Sequence, residues 1–225
     1  MINMEKIEDT VKELLKGDDG HGYDHVERVR GMAIRFAEQE NANIEVVELA
    51  SLLHDVDDYK LFGATHAEGL LNARKILDDN AVDADTQTRV LDIIKSMGYS
   101  RYLGGVRPAT IEGMIVSDAD MCDAIGAQGI LRTHAYNLFK GNNFFDKNTP
   151  PATEEKTASQ YISTKNEHAT QHFFDKLLIV NTILMTTAGK KEGAKRQKIM
   201  IDFLAELFRE EGAESWSERL AKFAS

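Results

Sequence analysis

A histidine and three aspartates close an apolar run. In Leu49-Ala50-Ser51-Leu52-Leu53-His54-Asp55-Val56-Asp57-Asp58-Tyr59, Leu49, Ala50, Leu52 and Leu53 read as the buried side of a helix. His54 and Asp55 then emerge where that helix leaves the core. Imidazole and carboxylate groups at the edge of an apolar core are costly unless a cation or a hydrogen-bond network satisfies them. The doublet is therefore either a metal site or an unusual cap. Two further stretches carry groups of the same kind: Gly20-His21-Gly22-Tyr23-Asp24-His25-Val26-Glu27-Arg28-Val29 upstream, and Val116-Ser117-Asp118-Ala119-Asp120-Met121-Cys122-Asp123-Ala124-Ile125-Gly126 downstream.

Taken together, His25, the His54-Asp55 doublet and Asp120 resemble the H…HD…D pattern of the HD-domain metal-dependent phosphohydrolase superfamily. The flanks, His25-Val26-Glu27-Arg28-Val29 and Asp118-Ala119-Asp120 with Asp123-Ala124-Ile125-Gly126-Ala127, are similar to those of small stand-alone bacterial and archaeal HD hydrolases, some of which are nucleotide pyrophosphohydrolases. The similarity continues into His172-Phe173-Phe174-Asp175-Lys176-Leu177-Leu178. The resemblance implies an all-α, single-domain helical bundle of the HD type over residues 1–225 with a metal site at its centre. Its motif region would span about 20–130, with C-terminal helices over 168–225 packed on it. It also implies that His25, His54, Asp55 and Asp120 are ligands of one divalent ion.

Two imidazole nitrogens and two carboxylate oxygens suit manganese, iron, cobalt, nickel or zinc. Magnesium prefers an all-oxygen shell and is less favoured as the tight ion. Such an ion acts as a Lewis acid and acidifies its water. Asp58, three residues after Asp55, is placed to accept that water's proton. Many HD hydrolases carry an acid at this offset, usually glutamate, so the shorter aspartate is a departure. Charge on a transferring phosphoryl group needs cationic partners. Arg28, Lys60 and the pair His172 and Lys176, spaced i, i+4, are the candidates for contacting substrate phosphate. Arg196 is a weaker one, and His21 and His66 are candidates for orienting ligands, whereas His134 and His168 read as structural or exposed.

The elements that must position these groups are helical, since apolar residues recur at three and four places and no convincing alternation of strands is present. The pattern predicts helices over Glu5 to Lys16, His25 to about Gln39 with Asp24 as N-cap, and Ile44 to about Asp57. His25 continues the inward stripe of Val29, Met32, Ala33 and Phe36, and the metal site is expected at a helix end. Further helices are predicted over Thr65 to Asp79, with Leu70, Leu71, Ala73 and Leu77 inward, and over Thr86 to Met97, with Val90, Ile93 and Ile94 inward. Gly98 to Pro108 reads as a loop. Thr110 to Gly126 resumes helix, with Ile111, Met114, Ile115, Asp118, Cys122 and Ile125 on the core stripe and Asp120 beside it. The polar segment Lys140 to Asn166 is expected to be a flap near the site or a solvated connector. Helices over His168 to Thr187, Arg196 to Glu210 and Ser215 to Ala224 complete the chain, with Phe173, Leu177, Leu178, Val180 and Leu184 buried.

Bulk properties narrow the function. The 225 residues suffice for one large domain with a substantial core. A net charge of −10 argues against general affinity for nucleic acid or anionic membrane. No apolar run approaches the ~18 residues of a membrane span, and residues 1–17 do not read as a secretory signal. The single cysteine, Cys122, reads as a small buried hydrophobe and suits a reducing, cytoplasmic setting. The leading expectation is a metal-dependent phosphohydrolase acting on a small phosphate compound, a nucleotide first among them, as a monomer or homodimer. Two alternatives stand beside it. One is a two-metal cyclic-nucleotide phosphodiesterase or di-iron oxygenase of HD type, disfavoured because only His66 lies between the doublet and Asp120. The other is a non-catalytic nucleotide-sensing module with a structural metal.

Overall fold

Side-chain caps and apolar stripes set the first helices. The computed structural model describes residues 2–16, 22–151 and 168–223; among them regular structure is entirely helical, with one isolated bridge between Asn143 and His168. Helix α1 (Met4–Leu14) starts where the Asn3 side chain accepts from the Lys6 N–H, and it buries Ile7 and Val11. Helix α2 (Tyr23–Glu40) is entered from Gly22, not from Asp24. Asp24 sits within the first turn, where its charge still favours the positive end of the helix dipole. Asn41 ends α2 in the left-handed region, at φ 55°. Helix α3 (Ile44–Leu53), capped by Asn43, buries Val46, Val47, Leu49, Ala50, Ser51, Leu52 and Leu53. It stops before the expected Asp57, because the polar residues that follow leave it for a turn.

After short α4 (Tyr59–Phe62) and α5 (Ala64–Gly69), α6 (Leu71–Asp79) begins on a new axis. The single helix predicted over Thr65 to Asp79 is broken at Leu70, whose φ of 50° reverses the chain. Leu70, Ala73 and Leu77 are buried as expected, but the break turns Leu71 outward, 44% exposed. Helix α7 (Ala84–Ser96), capped by Asp83, buries Val90, Ile93 and Ile94. The expected loop after it contains a short helix, α8 (Tyr99–Leu103), and the Arg107 guanidinium stacks 3.6 Å from the Tyr102 ring. Helix α9 (Ile111–Asp123) buries Ile115, Asp118 and Cys122, while Ile111 at its first turn is 39% exposed.

Two compact units are distinguished. The first runs through Asp120 and includes Met185–Ala188. In it Arg30 of α2 bridges Glu8 of α1, at 2.7 Å, and Glu48 of α3, while the Tyr23 hydroxyl donates to Glu8 at 2.8 Å. The second comprises Met121–Leu184 and the chain from Gly189. It holds α10 (Gly126–Phe139), which periodicity does not single out, α11 (Ala169–His172), a π turn (Phe173–Leu177) and α12 (Val180–Ile183). The apolar run expected as one helix over His168 to Thr187 is thus interrupted: Leu178 N–H reaches Phe173 O at 2.8 Å, and the backbone extends at Leu184. Its predicted buried residues, Phe173, Leu177, Leu178, Val180 and Leu184, are all buried. Gly126 opens α10 at φ 78°, where a Cβ would lie 3.0 Å from the Arg196 side chain.

Helices α13 (Thr187–Glu211) and α14 (Glu214–Ala221) follow. The core of the second unit is aromatic, with Trp216 in ring contact with Phe145, Phe174 and Phe208 and its indole N–H donated to Thr149 O at 3.0 Å. Residues 140–151 of the polar segment are described, anchored at Thr149 by that bond, and 152–166 lie outside the described residues. No helix among the described residues is long and apolar enough to cross a membrane.

Candidate metal centre

The donors come from three helix-borne positions of the first unit. His25 stands in the first turn of α2, on the face that buries Val29 and Met32, and is itself 4% exposed. His54 is the C-cap of α3, Asp55 follows in the turn, and Asp120 stands near the end of α9. One ligand atom each from His25, His54 and Asp120 lie within 4.8 Å of one another. The two Nε2 atoms are 3.3 Å apart. Asp55 Oδ2 is 3.6 Å from each of them, and Asp120 Oδ1 is 3.4 Å from His25 Nε2 and 4.0 Å from His54 Nε2.

These spacings test whether one ion fits. Donors each about 2.1 Å from a common ion are about 3.0 Å apart at a right angle, about 3.4 Å at the tetrahedral angle and about 4.2 Å when opposite. The distances between the two imidazoles, and from each carboxylate to them, run from 3.3 to 4.0 Å and fall inside that range; His25, His54 and Asp120 form the mutually close group, and Asp55 joins it through the two imidazoles. The protonation pattern fits as well. His54 Nδ1 lies 2.7 Å from Ser51 O, so its N–H satisfies a carbonyl at the end of α3 and leaves the Nε2 lone pair facing the cluster. Lone pairs of nitrogen and carboxylate oxygen aimed at one point repel unless something positive sits among them. Burial pushes the Asp120 carboxyl up, but when the two imidazoles are protonated the His25 hydrogen bond and the charges of His54 and His25 outweigh burial and hold it below the ordinary carboxylate range, with Asp55 opposing. Its side chain is the most open of the four, at 24% exposure against 13% for Asp55, 5% for His25 and 3% for His54.

The remaining candidates are placed differently. Asp58 is the N-cap of α4, its Oδ1 accepting from Lys60 N–H at 2.9 Å. Lys60 is exposed, and Arg28 is half-buried on α2, three residues from His25. His172 and Lys176 belong to the second unit, half-buried at the junction of α11 with the π turn. Arg196 donates to Cys122 O at 2.9 Å and to Glu192 at 2.7 Å. His66 Nδ1 lies 3.4 Å from Asp57 Oδ1, His134 is exposed, His168 is buried, and His21 lies outside the described residues. Sequence reasoning did not find Ser51, whose contribution is a carbonyl and leaves no side-chain signal. Nor did it find the separate employment of Asp57 and Asp118, for which the repeated Asp-x-Asp spacing was the available sign.

Comparison with known proteins bears on the family. The HD domain family model matches residues 22–125, a span that holds all four donors. YpgQ of Bacillus subtilis is 30% identical, with 90% of this chain and 91% of YpgQ covered. A crystal structure from Lactobacillus plantarum matches at 33% identity with a TM-score of 0.80, covering 95% of this chain and all of that one. An HD-superfamily hydrolase from Bacillus thuringiensis matches at 32% identity and a TM-score of 0.73, covering 93% and 97%. YpgQ has also been crystallised in complex with ADP, and that structure superposes with a TM-score of 0.70 at 26% identity over 92% of this chain and 97% of YpgQ. With the pattern, the fold and near-full-length relatives in agreement, the chain belongs to the HD-domain superfamily of hydrolases.

Proposed function

We propose that the protein is a metal-dependent phosphohydrolase that cleaves a phosphoanhydride or phosphoester bond of a nucleotide. The observation that carries this reading is the convergence of two imidazole nitrogens 3.3 Å apart with a carboxylate oxygen of Asp55 and one of Asp120, each 3.4–4.0 Å from both nitrogens, Asp120 being the most exposed of the four side chains. His25, His54, Asp55 and Asp120 would hold one divalent ion, for which manganese, iron, cobalt, nickel and zinc suit this donor set. When bound, the ion supplies Lewis acidity toward a phosphoryl oxygen and a water acidified to near neutral pKa. The ADP complex of YpgQ supports a nucleotide as the substrate class.

The chain's own groups would then divide the remaining work. Asp58 accepts the water's proton, its Oδ1 held by the Lys60 N–H so that the carboxylate has a fixed aim. Arg28, one turn from His25 on α2, and Lys60 balance phosphate charge. A phosphate-release screen over nucleoside mono-, di- and triphosphates with Mn2+, Co2+, Ni2+, Zn2+ and Mg2+ tests the reading. Release from at least one nucleotide, lost in the His54→Ala, Asp55→Ala double variant, is expected. Release that persists in the double variant, or none from any nucleotide with any ion, contradicts it.

A further inference from the structure

Two aspartates that this chemistry leaves unused stand beside the two it uses. Asp57 is two residues after Asp55, and Asp118 is two residues before Asp120. Both are more deeply buried than the donors beside them, at 3% and 1% exposure. A carboxylate that far from water persists only if its oxygens are met by donors, and each is met by backbone N–H groups at the start of a distant helix.

Asp57 Oδ1 accepts from Asn72 N–H and Oδ2 from Ala73 N–H, both at 2.9 Å. These N–H groups open α6, whose own N-cap, Leu70, offers no side-chain acceptor. The Asn72 side chain returns a bond to Val56 O at 2.7 Å, so the residue between Asp55 and Asp57 is gripped as well. Asp118 takes the corresponding place before α13. It accepts from Met185 N–H at 3.0 Å and, on Oδ2, from Thr186 N–H and the Thr186 hydroxyl at 2.7 Å each. On α9, residues two apart point ~200° around the axis, so Asp118 and Asp120 face opposite sides.

We infer that Asp57 and Asp118 are positioning residues for the metal cluster. In each Asp-x-Asp pair one carboxylate is fastened to a helix start by charge-assisted bonds, and this fixes the backbone that aims its neighbour at the cluster. The inference rests on the proposed metal site, and its test separates the two. Asp57→Asn and Asp118→Asn keep shape but replace one acceptor oxygen with an NH2 group that faces an N–H. Asp83→Asn is the control: Asp83 caps α7 through the Asp85 and Thr86 N–H groups and adjoins no cluster donor in sequence.

Mn2+ affinity is measured by titration calorimetry on the full chain, at a temperature where circular dichroism shows each variant folded. Asp57→Asn and Asp118→Asn are expected to raise Kd for Mn2+ about 10- to 100-fold, the range for groups that orient metal ligands. Asp83→Asn should stay within about twofold, since the asparagine amide oxygen keeps the helix cap and only the charge is lost. Where Asp118→Asn does not fold, Thr186→Val removes only the hydroxyl bond and should still raise Kd severalfold. Folded Asp57 and Asp118 variants with unchanged Kd, or an equal loss in Asp83→Asn, overturn the inference and leave the metal site standing. A wild-type protein that binds none of Mn2+, Co2+, Ni2+ and Zn2+ overturns both.

Discussion

Removing the His54 imidazole should disconnect the protein's stability from divalent ions. An ion that binds only the folded chain adds about 2.7 kcal/mol when its free concentration is 100 times Kd. For a chain of this size that is a rise of roughly 5–11 °C in Tm, at about 2–4 °C per kcal/mol. His54→Ala deletes one of the two nitrogens that stand 3.3 Å apart. If affinity falls 100-fold, the same ion concentration equals the new Kd, and the increment drops to about 0.4 kcal/mol, or about 1–2 °C. The variant also leaves Ser51 O without the bond it receives at 2.7 Å, so its metal-free Tm starts lower. The quantity that matters is thus the difference between Mn2+-loaded and EDTA-treated samples of each protein. Differential scanning calorimetry across a Mn2+ titration measures it, with His134→Ala, an exposed histidine, as the reference. A full Mn2+-dependent rise surviving in His54→Ala would refute the assignment of that ring to the ion.

Other outcomes follow from the same geometry. Asp58→Asn should lower kcat about 10²- to 10⁴-fold while Kd for Mn2+ stays within about threefold, since Asp58 is assigned to proton transfer and not to the ion; parallel turnover and calorimetry check this, and unchanged kcat would remove Asp58 from the mechanism. Hydrogen bonds from Lys12 and Tyr23, followed by Arg30, bring the Glu8 carboxyl down from 4.5 to about 2. A depressed folded pKa contributes stability that is present above about 4.5 and is lost as pH falls toward about 2. Solvent screening at a side chain still 22% exposed limits the contribution to about 1 kcal/mol. Glu8→Gln should therefore be less stable than the parent by that amount at pH 6, with the gap closing by pH 2 in denaturant titrations; a gap that does not change with pH would contradict the assignment.

Much of the site was legible because it breaks a local rule. His54 and Asp55 end a helix whose preceding residues are almost wholly buried, and His25 sits on an inward stripe, so both stand out from the pattern around them. The helical class was equally plain, since the 3.6-residue period persists along most of the chain. What escaped depends on distant partners. Leu70 carries no sign of a left-handed backbone, which is held by the tertiary capping of α6 from Asp57, and the break that results exposes Leu71. The π turn at Phe173–Leu177 lies inside a run whose apolar spacing reads as ordinary helix. Gly22 displaced Asp24 as N-cap of α2 because the extended backbone falls two residues earlier than side-chain preference suggests. Asp57 looked like part of an acidic cluster and is instead committed to backbone N–H groups.

The measurement that bears most directly on the central assignment is anomalous diffraction at the manganese edge from crystals grown with Mn2+. A single strong peak is expected, about 2.0–2.3 Å from Nε2 of His25 and His54 and from one carboxylate oxygen each of Asp55 and Asp120. A manganese peak elsewhere, or none at this cluster in crystals that bind the ion, would contradict the account.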